Sequence, residues 1–164
     1  MTYAGYGYRA GIAVASLVSG AVALHLHLWK RGYLAQVAAR AAEGTLEILP
    51  CGVGGGCLLA QTSAWSWFLG VDVALIGAVG YAAILAVALL GLVPRWLHAT
   101  WPTLVLGALI VPAVLFTVRL KYAEFLVLRT FCSWCAVSTV AITVCAILLW
   151  LDHRRLARRP ATGG

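Results

Sequence analysis

Phe131–Leu151, FCSWCAVSTVAITVCAILLWL, runs for twenty-one residues without an Asp, Glu, Lys or Arg. A helix needs about 20 apolar residues to cross the hydrocarbon core of a bilayer, so this stretch reads as a membrane span. Its mouth carries C-x-x-C, Cys132 and Cys135, around Ser133 and Trp134. Working outward, Ala10–Trp29, Val73–Val93 and Trp101–Val118 are equally free of charge. The chain therefore reads as an all-α integral membrane protein, a four-transmembrane-helix bundle with spans at about 10–29, 72–93, 101–120 and 131–151. Residues 1–164 form one such domain, closed by a basic tail at 152–164. Arg119 and Lys121 can reach the headgroups, which lets the third helix run on to about Val127.

Composition agrees. Charged residues make up 10% of the chain and hydrophobic ones 63%, against roughly 25% charged in soluble domains. The net charge of +7 sits at span ends and in His153–Arg159, where it suits membrane lipid headgroups and not nucleic acid. Trp29, Trp65, Trp67, Trp96, Trp101 and Trp150 fall near span ends, as an interfacial aromatic belt would.

Four spans put residues 30–70 and 119–130 on one side and both termini on the other. Lys and Arg do not orient this topology, because six lie on each side. In the long first connection Leu34, Val37, Ala38 and Ala41 recur at i, i+3, i+4 and i+7, which predicts a short amphipathic helix lying flat at the headgroups. Asp72 and Glu124 flank spans and are expected at headgroup level.

Two cysteine pairs carry the chemistry. Cys51 and Cys57 enclose Gly52, Val53, Gly54, Gly55 and Gly56, a backbone with almost free choice of φ and ψ. Such a pair can close, open and move. Cys132 and Cys135 are fixed instead at a helix start, where the helix dipole and Arg129 favour the thiolate that attacks in exchange. Both pairs lie on the same side, so thiol–disulfide exchange between them can move two electrons from a mobile dithiol to one at the membrane boundary. A lipid-soluble acceptor suits that position. Thiols that must oxidise place the cysteine side outside the cytoplasm. Cys145, ~15 Å further along its helix, reads as a packing residue.

The stretches CGVGGGCLLAQTSAWSWFLGVDVALIGAVGY (51–81) and LKYAEFLVLRTFCSWCAVS (120–138) resemble the vitamin K epoxide reductase family, in its bacterial quinone-linked branch. The resemblance implies roles. Cys51 exchanges with a partner protein, Cys57 forms a mixed disulfide with Cys132, and Cys135 faces the quinone. Ser63 matches a family serine near the active site. The family's vitamin K-binding Asn and Tyr correspond here to Val73 and Thr139, which points to ubiquinone or menaquinone in looser contacts, with a vitamin K-type quinone as a further candidate. Many bacterial relatives carry a fused thioredoxin-like domain; its absence here implies a separate DsbA-like thioredoxin-fold partner, at the periplasmic face of the inner membrane, with both termini cytoplasmic. Competing readings are a thiolate metal-binding or ion-transport protein built on the same four cysteines, and a structural subunit with inert disulfides.

Overall fold

The computed structural model describes residues 3–43, 60–97 and 99–158. Helix α1 spans Tyr3–Glu43. A helical turn at 60–62 and a 3-10 turn at Ala64–Ser66 lead into a hairpin of β1, Trp67–Phe68, and β2, Val71–Asp72. Helices α2 (Val73–Gly91), α3 (Trp101–Tyr122) and α4 (Ser133–Ala157) follow. A π-helical turn at Ala123–Val127 extends α3. The segments Gly5–Ala35, Val73–Gly91, Trp101–Val127 and Ser133–Ala157 are each long and apolar enough to cross a membrane.

α1 packs against α2 and α4, and α3 packs against the same two helices from the other side. Ile12, Tyr81, Ile84, Leu106, Ile110, Ile142 and Cys145 form the central core. Outward-facing positions are apolar too: Leu17, Val79, Leu104, Leu115 and Val140 are all exposed. A bundle in water would face polar side chains outward, so lipid is the solvent that this surface fits. The protein is integral to a membrane.

One sequence expectation changes here, and one element is new. The helix over Leu34–Ala41 is not a separate flat one, because α1 continues unbroken to Glu43. No glycine or proline falls between Gly32 and Glu43 to interrupt the backbone hydrogen bonds, so propagation of an existing helix prevails over a new start. The new element is the hairpin of β1 and β2. Its register pairs Trp67 with Asp72 and Phe68 with Val71, and its two turn residues, Leu69 and Gly70, both take positive φ (53° and 80°), as the tight hairpin turn that matches strand twist requires.

The charges counted as loop residues also behave differently. Arg9 is fully buried. Its Nε donates to Asp152 Oδ2 (3.1 Å), Nη1 to the carbonyls of Gly91 (2.7 Å) and Trp96 (3.0 Å), and Nη2 to the Ala99 carbonyl and Thr103 Oγ1 (both 3.2 Å). Five donors meet five acceptors, which is what keeps a buried guanidinium tolerable. These contacts tie α1, the α2–α3 connection, α3 and α4 at the end bearing the N-terminus. A Cβ on Gly91 would lie 3.2 Å from Arg9 Cδ, so glycine there lets the guanidinium reach the backbone.

At the opposite end, Lys30 and Asp72 form a second buried pair. Lys30 Nζ lies 3.0 Å from both Asp72 Oδ1 and Ser66 Oγ. His27 Nδ1 donates to Asp72 Oδ2 at 2.7 Å, and Asp72 Oδ1 also caps α2 by accepting from the Ala74 N–H. Asp72 is therefore a buried anchor at the mouth of α2, tolerated there because three donors replace its water. Burial alone would raise its carboxyl, but the bonds to His27, Lys30 and Ala74 and the charge of Lys30 outweigh that and hold it below the ordinary carboxylate range. A depressed folded value stabilises the ionised, folded form. That contribution is complete above the unfolded carboxyl's value of about 3.8 and fades as pH falls through the lower folded value. Thermal melts in detergent should accordingly lose stability below pH 4, with a shallower loss in Asp72→Asn.

Candidate functional site

The loop from Leu128 to Phe131 returns the chain from α3 to α4, and Cys132 is the N-cap of α4. Its Sγ accepts the Cys135 N–H at 3.3 Å. C-x-x-C thus supplies its own helix cap, since an acceptor at N-cap reaches the N–H three residues on. Cys132 is completely buried beside Leu26 and Ala74, with Trp29, Ala60 and Cys135 packed against that cluster. Cys135 is partly buried, and Gln61 Nε2 points at its Sγ from 3.7 Å.

Cys135 opens on a cavity of about 410 Å³ among all four helices, lined mainly by apolar side chains. That lies within the roughly 300–1,000 Å³ of small-molecule sites. Val22, Leu26, Val73, Pro112 and Phe116 supply apolar wall, and Gln61, Ser63, Ser66, Tyr81 and Ser138 supply polar points. Tyr81 Oη bonds Ser138 Oγ at 2.8 Å and donates to the Ser138 carbonyl at 3.1 Å, tying α2 to α4 across the cavity wall.

Of the residues singled out in the sequence, Cys135, Ser63, Val73 and Thr139 all line this one cavity. Ser63 Oγ donates to the Ala60 carbonyl at 2.9 Å, and the Ser63 carbonyl accepts from both Ser66 N–H (3.0 Å) and Ser66 Oγ (2.8 Å). Ser63 therefore organises the turn that enters the hairpin. Thr139 Oγ1 donates to the Cys135 carbonyl at 2.8 Å, so its proton is committed to its own helix. Val73 offers only apolar contact. Cys51, Cys57 and Gly52–Gly56 lie outside the described residues, and so does the expectation that they form the mobile pair.

Trp134 does not line the cavity; it is 40% exposed and its ring sits 5.7 Å from that of His25. Cys145 is buried in the core, near Ser16 Oγ and the Ile12 carbonyl, in the packing position expected of it.

The charge beside C-x-x-C is not the one the sequence suggested. Arg129 is exposed, with φ 48° at the turn. Glu124 is 5% exposed, and its Oε1 accepts the Cys132 N–H at 2.6 Å. Its second oxygen pairs with Lys121 Nζ. Sequence reasoning missed Glu124, Lys121, Gln61 and Tyr81 as site residues. The signal available for the first two was their i, i+3 spacing beside an apolar run.

A four-helix membrane bundle with a capped dithiol at the mouth of an apolar cavity defines a membrane thiol oxidoreductase. The model of the vitamin K epoxide reductase family matches residues 10–150, and the chain belongs to that family. Members are membrane thiol–disulfide oxidoreductases that use a quinone as electron acceptor and act with thioredoxin-like partners. The cavity fits a quinone ring: it is apolar, of suitable volume, and holds Cys135 in its wall.

Proposed function

We propose that this protein reoxidises a DsbA-like thioredoxin-fold partner and passes the electrons through Cys51/Cys57 to Cys132/Cys135 and on to a ubiquinone or menaquinone, as in the bacterial quinone-linked branch. The observation that carries this reading is Cys135 in the wall of an apolar cavity shared with Ser63, Val73 and Thr139. Cys51 takes the partner's electrons, Cys57 transfers them by exchange to Cys132, and closure of Cys132–Cys135 releases them at the cavity. A bound quinone supplies a sink for two electrons and two protons. Val73 and Phe116 would hold its ring by apolar contact, and Gln61, Tyr81 and Ser138 offer hydrogen bonds at the wall. Val73 and Thr139 offer little polar grip, which favours a general respiratory quinone over vitamin K epoxide.

Potentials support the acceptor. A DsbA-like oxidant near −120 mV is not recharged by glutathione at about −200 mV, because an 80 mV gap opposes transfer by about 3.7 kcal/mol. The chemistry also orients the chain, with the cysteine side periplasmic and both termini cytoplasmic in the inner membrane.

Purified protein mixed with a reduced DsbA-like partner and a short-chain ubiquinone should bleach the quinone absorbance catalytically. No bleaching sinks the reading. Stoichiometric zinc in the same preparation would instead favour the thiolate metal site.

A further inference from the structure

Among the described residues lining the cavity, Glu124 and Lys121 are the only charged ones. Lys121 lies in the last turn of α3, and Glu124 lies, buried, in the π turn at Ala123–Val127. There the Leu128 N–H bonds the Ala123 carbonyl (2.8 Å) and the Thr130 N–H bonds the Glu124 carbonyl (3.0 Å). Insertions of this kind cost regular hydrogen bonding and concentrate at functional sites. The side chain of Glu124 is 6% exposed, so its carboxylate is held by two partners, the Cys132 N–H and Lys121 Nζ. A neutral residue could cap Cys132 without importing a charge. The carboxylate is therefore unexplained by capping alone.

We propose that Glu124, balanced by Lys121, is a positioning residue that sets the redox potential of the Cys132/Cys135 couple low enough to drive electrons into the quinone cavity. The proposal rests on the thiol-to-quinone reading above. As the S–S bond forms, Cys132 and Cys135 give up two electrons and two protons, and both pairs end on a quinone-class acceptor. The dithiol is stabilised to the extent that one sulfur ionises, and strong oxidants of the thioredoxin type are strong because their reduced form is stabilised in this way. A carboxylate held at the Cys132 backbone opposes the N-terminal field of α4 and disfavours a thiolate. The reduced form is then less stable and the couple a better donor. Lys121 acts in the opposite sense, and its side chain, 18% exposed, limits the effect of the carboxylate. From the other elements, Gln61 faces Cys135, Tyr81 and Ser138 face the cavity from α2 and α4, and none of these carries a charge at neutral pH.

The test reads sign. In a Cys51→Ala/Cys57→Ala background, the Cys132/Cys135 equilibrium is measured in glutathione buffers by thiol-dependent gel shift, beside the pH profile of alkylation. Glu124→Gln keeps an acceptor for the Cys132 N–H and should move the equilibrium about tenfold toward the dithiol, a rise of ~30 mV for a two-electron couple. Lys121→Gln should move it the other way. Alkylation should begin at lower pH in the first variant and at higher pH in the second. A merely structural pair would shift both variants alike or neither, and either result overturns the proposal. If Glu124→Gln does not fold, Lys121→Gln still decides by its direction. A parent chain that reduces quinone while both variants keep parental potentials sinks this inference alone, whereas a parent that reduces no quinone sinks the function and leaves the potentials to be judged by themselves.

Discussion

Cys135→Ala protein should leave quinone reduction at background, a loss on the order of 1,000-fold or more, the scale expected when one member of a catalytic unit is removed. A Cys132–Cys135 disulfide needs both sulfurs, and the Cys135 N–H to Cys132 Sγ contact holds the two residues within one turn. The two variants should nevertheless differ. In Cys135→Ala the Cys132 thiol should keep its place, buried beside Leu26 and Ala74, and on the proposed path exchange with Cys51/Cys57 should stop at a mixed disulfide visible on non-reducing gels. In Cys132→Ala no such species forms, and α4 also loses its side-chain cap, for about 1 kcal/mol of stability. Cys145→Ala is the control: its thiol is in the core and away from the cavity lining, so turnover should stay within about twofold while stability falls modestly. Full turnover in Cys135→Ala would remove the cavity-facing thiol from the pathway.

Arg9→Met should cost about 3 kcal/mol, because it leaves the buried Asp152 carboxylate with only Arg155 and Thr103 and removes the donors that the Gly91 and Ala99 carbonyls face. Asp152→Leu should do comparable damage by leaving the guanidinium without its counter-ion, though Thr103 and the three carbonyls remain. Charge pairs taken out together are far less harmful than half-pairs. Arg9→Met/Asp152→Leu should therefore recover part of the loss, but not all of it, since the Gly91 and Ala99 carbonyls lose their donor and Arg155 loses its carboxylate. Melting in detergent measures these differences. The cluster lies at the opposite end of the bundle from the cavity, so protein that remains folded should reduce quinone at the parental rate. A double variant as unstable as the sum of its two singles would show that Arg9 acts through the carbonyls and not through Asp152.

Much of this protein was legible in its sequence. Four charge-free runs determined four membrane helices, because a bilayer admits no unsatisfied backbone and sets a length that short runs cannot meet. C-x-x-C at the head of the last run determined that a dithiol would sit at a helix N-terminus, and the hydrogen bond from Cys135 N–H to Cys132 Sγ follows from that local geometry. Tertiary structure decided the rest. Arg9 and Asp152 stand 143 positions apart, and sequence periodicity carries no information on which distant charges will share one desolvated site. For the same reason nothing in the sequence joins Asp72 to His27 and Lys30, or Glu124 to the Cys132 N–H. The cavity itself is a property of four helices at once: Leu26, Tyr81, Phe116 and Cys135 come from four separate elements, and only their packing leaves an apolar space beside a thiol.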